Sequence, residues 1–535
     1  MGVIPIPVLR EMISARIPAN RTQAFVSVVV LGLALWSAWI IGGWISANDR
    51  TTLALAVLGI AAVVIALRIA RDWRTGLYSF FVWLLFEDLA RKYLGNNMAI
   101  YFGKDVLVAL VYVFFFVALR RGKEPILRLP FLIPLSLFVW FGLLQCFNPN
   151  SPSLLYSLLG FKLYFYYIPL MFVGYALVRH EKDLELFLAI NLGLAGVIAL
   201  LGIIQGIVGA SFLNPPVLAP ELQLLGKLYR YTSTGTRLYR PNSVFVSDGR
   251  FASYMMLMWI LGMGAAGFFL LRQKHTRRFV YPAIGLMLVA ILLSGSRGAF
   301  ALTIINTMVM AAAFLWGTPW RWKAGHKLVK VVRRTFLMAA LGILLIVLFY
   351  PEAIGARWDF YYETLNPSSQ YSELGSRTWS YPIDNFVIAF ASPLWPYGHG
   401  IGTASLGMQY VSKWLGQRPP EFSVESGWGT LVVEMGILGL ILWLVWTTAA
   451  TLSCWKVVRQ LRQSVYFPIG FAIFWYTFLM IIPMTFTSMG GYENYILNAY
   501  LWLLIGILFR LPALAAPTPV VLRRMPDAAG TFDGR

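Results

Sequence analysis

The chain has little charge, few acidic residues and almost no cysteine. Only 13% of its 535 residues are charged, and 44 lysines and arginines stand against 23 acidic residues, a net charge of +21. The two cysteines, Cys146 and Cys454, supply neither a disulfide framework nor a zinc-ligand set. These shortages exclude a disulfide-rich secreted domain and a cysteine metal site.

Several functional motifs are also absent. The chain has no Asp-x-Asp pair, the usual metal–diphosphate ligand of many glycosyltransferases. It has no GxxxxGK[ST] loop, which argues against an ATP-driven pump. The first residues lack the short apolar region and cleavage site of a signal peptide, so we expect residues 1–23 to be a cytoplasmic segment.

Apolar residues are what the chain has in excess. Hydrophobic residues make up 59% of it and aromatic residues 16%. One soluble core cannot bury so much apolar surface, so the sequence predicts an all-α polytopic membrane protein. With roughly 20 apolar residues per span, we predict about 12–14 spans. The fourteen runs lie near residues 24–45, 52–70, 75–90, 105–119, 130–146, 154–178, 184–208, 251–271, 279–293, 298–316, 335–350, 429–453, 465–487 and 494–509.

The basic residues are distributed as a membrane-orientation signal. With the N-terminus in the cytoplasm, the inside loops hold 29 lysines and arginines, the outside loops hold 14, and Lys162 lies inside a span. The positive-inside rule therefore favours cytoplasmic termini. Because this placement accounts for the net charge, we expect no nucleic-acid partner. The two cysteines fall at opposite faces and should not pair.

Two segments are longer than simple connectors. The resulting organisation is a cytoplasmic segment 1–23, membrane helices 24–208, an outer loop 209–250, membrane helices 251–350, a large outer loop 351–428, membrane helices 429–509 and a cytoplasmic tail 510–535. The 351–428 loop is rich in Tyr, Trp, Pro and Gly. Ordered aromatic loops above a helical bundle suit a carbohydrate or lipid-headgroup site, although a structural cap is an alternative.

One charge interrupts a long apolar run. Residues 281–316 are a run of 36 residues in which Arg297 is the only charged residue. The stretch "SGSRG", residues 294–298, divides the run into two spans and predicts a tight turn at the outer face. Gly and Ser beside Arg297 would supply backbone donors next to a guanidinium, which favours an anion site there.

Further basic residues lie near the same predicted face. A guanidinium binds phosphate through a rigid fork, so several of them suit the diphosphate of a lipid carrier. Each could instead be an interfacial residue whose charged end reaches water, and Lys162 could simply pair with a carboxylate such as Asp88. The candidates are Lys162, Arg237, Arg240, Arg250, Arg297 and Arg377.

A carboxylate at the predicted start of a span is the candidate base. Glu425, in "SVESGWG", could accept a proton from a sugar hydroxyl or could merely cap the helix. Glu434 lies deeper on the same helix and is interpreted as a structural partner for a polar group. His399 is an alternative base, but "GHGIG" at 398–402 is more simply a flexible loop.

Four stretches together resemble the O-antigen ligase/polymerase superfamily. They are "RPNSVFVSDGRFASYM", "ILLSGSRGAF", "SVESGWGTLVVEMGILGL" and "GSRTWSYPIDNFVIAFASPLWPYGHGIGTAS", within roughly residues 155–450. The resemblance implies a C-type-glycosyltransferase-like helical bundle with a large periplasmic or extracellular loop. It also implies metal-independent, inverting transfer from an undecaprenyl-diphosphate carrier without a cofactor. By position, Arg240, Arg297 and Arg377 would hold the diphosphate.

The sequence departs from the ligase pattern at one position. Ligases of this family carry His and then Asn nine positions before the Glu of the motif, where this chain has Glu425 and Ser426. We therefore expect a polymerase of capsular, exopolysaccharide or O-antigen repeat units in a bacterial inner membrane. The alternatives are a ligase acting on a lipid or protein acceptor, a flippase for the same lipid-linked sugar, and a non-catalytic partner of other polysaccharide assembly proteins.

Overall fold

The computed structural model of the protein describes residues 50–216, 228–231, 237–272, 277–319, 340–345, 347–348, 357–362, 381–405, 407–418 and 424–515, with isolated positions between these ranges. The predicted span 24–45, the segment 1–23, part of the predicted span 335–350 and the tail from residue 516 lie outside the described residues. The chain divides into two units, Met1–Asp72 and Trp73–Arg535. The described element of the first unit is helix α1, Arg50–Arg71.

Among the described residues of the second unit, the regular elements are helices and one short hairpin. Its strands β1 (Tyr229–Tyr231) and β2 (Arg237–Tyr239) pair antiparallel, with Arg230 opposite Leu238. The elements in chain order are α2 (Trp73–Tyr93), α3 (Met98–Arg120), α4 (Leu132–Gln145), α5 (Leu154–Phe165), α6 (Leu170–Leu177), α7 (Glu181–Val208), β1 (Tyr229–Tyr231), β2 (Arg237–Tyr239), α8 (Asp248–Arg272), α9 (Arg277–Leu293), α10 (Arg297–Gly317), α11 (Tyr381–Ile388), α12 (Met408–Leu415), α13 (Gly427–Gln460), α14 (Phe467–Ile481), α15 (Pro483–Thr487), α16 (Gly490–Glu493) and α17 (Tyr495–Ala515).

The prediction of an all-α polytopic membrane protein is confirmed. Among the described residues, eight helical segments are long and apolar enough to cross a membrane, and two shorter apolar helices lie at 132–145 and 280–293. Two predicted spans are interrupted helices. The first breaks between α5 and α6, and the second breaks at Pro483, whose ring cannot continue the hydrogen-bond ladder of α14.

Helix α8 occupies the interior of the second unit. It packs against α9, α10 and α14, while α17 lies along α6. A group of large aromatic rings fills the space beside α13 and α17. Phe138, Trp443, Trp446 and Trp502 pack in sequence, with successive ring centroids 5.5, 5.0 and 5.8 Å apart. Because such rings bury large areas in restricted geometries, they fix the relative position of these helices.

A glycine breaks helix α13 about two and a half turns after its start. Gly436 has φ +69° and ψ −176° within the helix. The carbonyl groups freed by this break accept hydrogen bonds from a loop: His399 N donates to Val433 O at 2.7 Å, and Gly400 N donates to Glu434 O at 2.9 Å. The buried backbone groups are thereby satisfied, which non-helical backbone inside a membrane helix requires.

Substituting Gly436 with alanine should destabilise the protein. A Cβ at this position would meet the Pro396 carbonyl group at less than 3.0 Å, and its φ is one that L residues rarely adopt. We expect a clear decrease of the melting temperature in detergent for Gly436→Ala. Gly193→Ala is the matched control, because a Cβ on this helical glycine meets nothing within 4 Å. Equal melting temperatures of the two variants would contradict this role for Gly436.

Candidate functional site

The turn at residues 294–298 is formed as the sequence predicts. Helix α9 ends at Leu293 and helix α10 begins at Arg297. Gly295 has φ +61°, a conformation suited to glycine, and Ser296 caps α10 by accepting a hydrogen bond from Ala299 N at 3.4 Å. The turn therefore presents Arg297 in the first turn of a membrane helix, beside carbonyl groups of the preceding one.

Arg240 reaches this turn from the end of β2. Its backbone N–H donates to Leu228 O at 2.7 Å. Its side chain lies against Gly295, and its Nε donates to Ser294 O at 3.4 Å. One terminal nitrogen pairs with Asp248 at 2.5 Å. Burial lowers the pKa of the Arg240 guanidinium, and the Asp248 charge acts in the opposite direction.

A third arginine that the sequence did not single out also meets the turn. Arg357 is 5% exposed, and its Nε donates to Leu293 O at 3.0 Å while Nη2 donates to Tyr239 O at 3.1 Å. Burial lowers its pKa to about 10, so the group remains charged at neutral pH. No local pattern in the sequence had selected Arg357.

Tyr361 lies at the centre of these arginines. Its hydroxyl donates to Leu292 O at 3.1 Å, and its ring packs 4.9 Å from that of Phe300. Burial raises the pKa of Tyr361 to about 12, against the opposing charges of Arg357, Arg240 and Arg297. The guanidinium of Arg297 stacks 3.9 Å from the ring of Phe360. We call Arg240, Arg297 and Arg357 around Tyr361 the arginine cluster.

Residues 240–250 connect the arginine cluster to a second charged group. Residues 240–247 are irregular yet largely buried, and helix α8 begins at Asp248. Gln205 Oε1 accepts hydrogen bonds from Asn242 N at 2.9 Å and Ser243 N at 2.6 Å. Lys92 Nζ donates to Ser243 O at 2.8 Å. The segment is therefore held by side chains of α7 and α2 and cannot shift independently of them.

The second group is an ion-pair cluster at the adjoining ends of α2 and α3. Asp88 pairs with Arg250 at 2.8 Å and with Arg91 at 3.3 Å. Glu87 pairs with Lys104 at 2.9 Å. Asp88 Oδ2 also accepts a hydrogen bond from Val246 N at 3.1 Å. Charges at membrane depth are tolerated when they are paired in this way.

Lys162 and Arg250 both lie in this ion-pair cluster rather than in the arginine cluster. The carboxylate beside Lys162 is Asp105, at 2.5 Å, so the suggestion of Asp88 was wrong. Asp88 is already occupied by two arginines. Together with Arg240, which pairs with Asp248, three of the predicted diphosphate ligands therefore have carboxylate partners within the protein.

Removing the Asp88 carboxylate should destabilise the protein strongly. Asp88→Ala leaves Arg250 and Arg91 without this partner, and breaking a buried ion pair costs about 3–5 kcal/mol. The expected result is a lower melting temperature than for Asp359→Ala, which removes an exposed carboxylate. A melting temperature equal to that of the wild type would show that Asp88 does not hold the segment 240–250.

Glu425 lies immediately before helix α13, as the sequence predicts. Its backbone N–H donates to Asn385 Oδ1 at 3.2 Å, and its side chain is exposed. The neighbouring Ser426 is the residue that caps the helix, by accepting from Gly429 N at 3.4 Å. Among the described residues, no hydrogen bond or ion pair joins Glu425 to the arginine cluster, so a substrate would have to bridge the two.

The GHGIG loop differs from the flexible loop that the sequence suggested. Gly398, Gly400 and Gly402 have positive φ and are buried, because the loop packs against the kink of α13. Glu434 Oε1 accepts a hydrogen bond from Ala404 N at 2.9 Å. This contact confirms the interpretation of Glu434 as a structural partner for a polar group. His399 Nε2 lies 3.1 Å from Ser392 Oγ, and burial lowers the pKa of this imidazole.

The structure thus brings together only some of the predicted site residues. Arg240 and Arg297 meet at the turn with the unpredicted Arg357. Arg377 lies outside the described residues.

Both cysteines are free, as expected. Within the described ranges, no three His, Cys, Asp or Glu side chains group as metal ligands. No protein-family model matches the chain, and a search of curated proteins finds no match.

Proposed function

We propose that the protein is a membrane glycosyltransferase that polymerises glycan repeat units carried on undecaprenyl diphosphate. The observation that carries this proposal is the arginine cluster at the junction of α9 and α10. Three guanidinium groups surround one tyrosine, with Asp248 as the carboxylate paired to Arg240. Several guanidinium groups gathered at one place suit an anion with several oxygen acceptors, such as a diphosphate.

A lipid diphosphate is the anion whose location agrees with this cluster. The cluster lies where two membrane helices end, and the headgroup of a lipid carrier lies at the end of the hydrocarbon region. Arginine forks form bidentate hydrogen bonds with phosphate oxygens. The ring of Phe360 keeps the Arg297 guanidinium in place for such contacts.

The proposed chemistry uses groups on either side of the substrate. A sugar hydroxyl attacks the anomeric carbon, and the bond between that carbon and the diphosphate oxygen breaks. Glu425 accepts the hydroxyl proton, and the arginine cluster stabilises the negative charge that develops on the departing diphosphate. Attack from the face opposite the leaving group inverts the anomeric configuration.

The distribution of buried charge also supports an enzyme over a flippase. The ion-pair cluster lies within the last two turns of α2 and the first two turns of α3. A transporter is expected to carry binding groups near the middle of the membrane, whereas the charges of α2 and α3 gather towards the ends of these helices.

The size of the product tests the proposal. The protein is reconstituted in nanodiscs with undecaprenyl-diphosphate repeat units, and the glycans are separated on a gel. We expect a ladder of increasing chain length without an added acceptor. A single shift that requires a second acceptor would identify a ligase. No new bond, together with labelled lipid crossing the bilayer of proteoliposomes, would refute the transferase and identify a flippase.

A further inference from the structure

A groove beside the kink of α13 belongs to neither charged cluster. Its volume is about 550 Å³, and it lies between the end of α4, the residues that follow α4, and Pro396 with Tyr397. Leu438, two residues beyond Gly436, completes its α13 side. The groove therefore opens where two apolar helices meet the loops above them.

Two large aromatic side chains at this groove are exposed. Phe147 is 73% exposed and Tyr397 is 71% exposed. The hydroxyl of Tyr397 forms no hydrogen bond with any residue that the structure describes. Aromatic faces pack against the C–H face of a pyranose ring, and a tyrosine also supplies a polar group at its tip. Because both rings line the same groove, one ligand can contact them together.

Side-chain amides hold the groove in shape. Asn148 Nδ2 donates to Gln145 Oε1 at 2.6 Å and to Gly398 O at 3.1 Å. Gln145 Nε2 donates to Tyr397 O at 3.0 Å. Asn150 Nδ2 donates to Gly398 O at 3.3 Å, and Asn150 is exposed. These bonds tie the end of α4 to the loop that carries Tyr397, which lowers the cost of ordering the site on binding.

The groove is uncharged in a strongly basic protein. None of its described lining residues is Lys, Arg, Asp, Glu or His, although the chain carries a net charge of +21. A phosphate or an acidic sugar would find no cation there, and burying such an unpaired charge is costly. The lining therefore favours a neutral ligand rich in hydroxyl groups.

We propose that this groove binds a neutral oligosaccharide. The rings of Phe147 and Tyr397 pack against sugar faces, and the Tyr397 hydroxyl and Asn150 Oδ1 form hydrogen bonds with sugar hydroxyls. Binding of the oligosaccharide follows from the chemistry of the groove alone. Its role as the site that holds an acceptor or growing glycan rests on the proposed transferase function.

An array of neutral and anionic oligosaccharides, probed with labelled protein in nanodiscs, tests the groove directly. We expect the wild type to be retained by neutral oligosaccharides. Tyr397→Ala and Asn150→Ala should each lower the apparent affinity, the former about tenfold. Tyr93→Ala is the matched control, because it removes another exposed tyrosine that lies at the end of α2.

The design separates this inference from the proposed reaction. Arg297→Ala should bind the same neutral oligosaccharides as the wild type even where transfer is lost. The inference is wrong if folded wild-type protein is retained by no neutral oligosaccharide. It is also wrong if Tyr397→Ala and Asn150→Ala, with unchanged melting temperatures, bind as the wild type does. A phospholipid that copurifies with the wild type and is lost from Tyr397→Ala would identify a lipid site instead.

Discussion

Replacing Arg297 with alanine should lower the kcat/KM of glycan transfer by about 10²–10³-fold. Arg297 begins α10, and its guanidinium is held against Phe360 at the arginine cluster. If it stabilises the charge of the departing diphosphate, its loss should act mainly on kcat. Arg297→Lys should recover little activity, because an ammonium group cannot form the same bidentate contacts. The rate of product formation in nanodiscs measures the effect.

Arg237 provides the matched control for this substitution. It lies in the same region of the chain but is exposed, and its guanidinium stacks 3.5 Å from the ring of Tyr229. Arg237→Ala should retain transfer within a few fold of the wild type. If Arg237→Ala and Arg297→Ala lose activity equally, a general loss of positive potential explains the result and the specific role of Arg297 fails.

Replacing Glu425 should remove the proposed general base and lower kcat by about 10²–10⁴-fold. Because Ser426 rather than Glu425 caps α13, the Glu425→Gln variant should keep the melting temperature of the wild type. In Glu425→Ala, added formate or azide should restore part of the activity by replacing the missing carboxylate. The measurement is the transfer rate with and without the added anion.

Two comparisons separate this role from its alternatives. Asp384→Asn removes an exposed carboxylate of α11, the helix that also carries Asn385, and should leave kcat unchanged. His399 is the competing base, and its lowered pKa leaves the imidazole neutral at pH 7. Its Nε2, however, is engaged with Ser392. A larger loss in His399→Gln than in Glu425→Gln would transfer the role of base to His399.

The sequence predicted those features that depend on local patterns. Long apolar runs predicted the membrane helices because a span must satisfy its backbone groups internally. The division of residues 281–316 at Gly295 was predictable because a left-handed turn residue beside serines interrupts an apolar run. The structural role of the buried Glu434 was likewise indicated by the depth of this residue on a predicted helix.

Contacts between distant segments were not predictable in the same way. Arg357 meets Leu293 across 64 positions of the chain, and no local pattern selects it. Lys162 lies on a predicted span, but periodicity alone does not select Asp105 over Asp88 as its partner. The GHGIG loop looked flexible because glycines lack side chains. Its packing became apparent only from the helix break at Gly436, which lies over thirty positions away.

The ratio of released carrier to new glycosidic bonds tests the proposed function most directly. Lipid-linked repeat units labelled in the carrier and in the sugar are supplied to the protein in nanodiscs, and both products are counted. Glycosyl transfer predicts one undecaprenyl diphosphate released for each bond formed, with both quantities lost in Arg297→Ala. Carrier that stays attached to its glycan while the wild-type protein is folded and saturated with substrate would contradict the proposal.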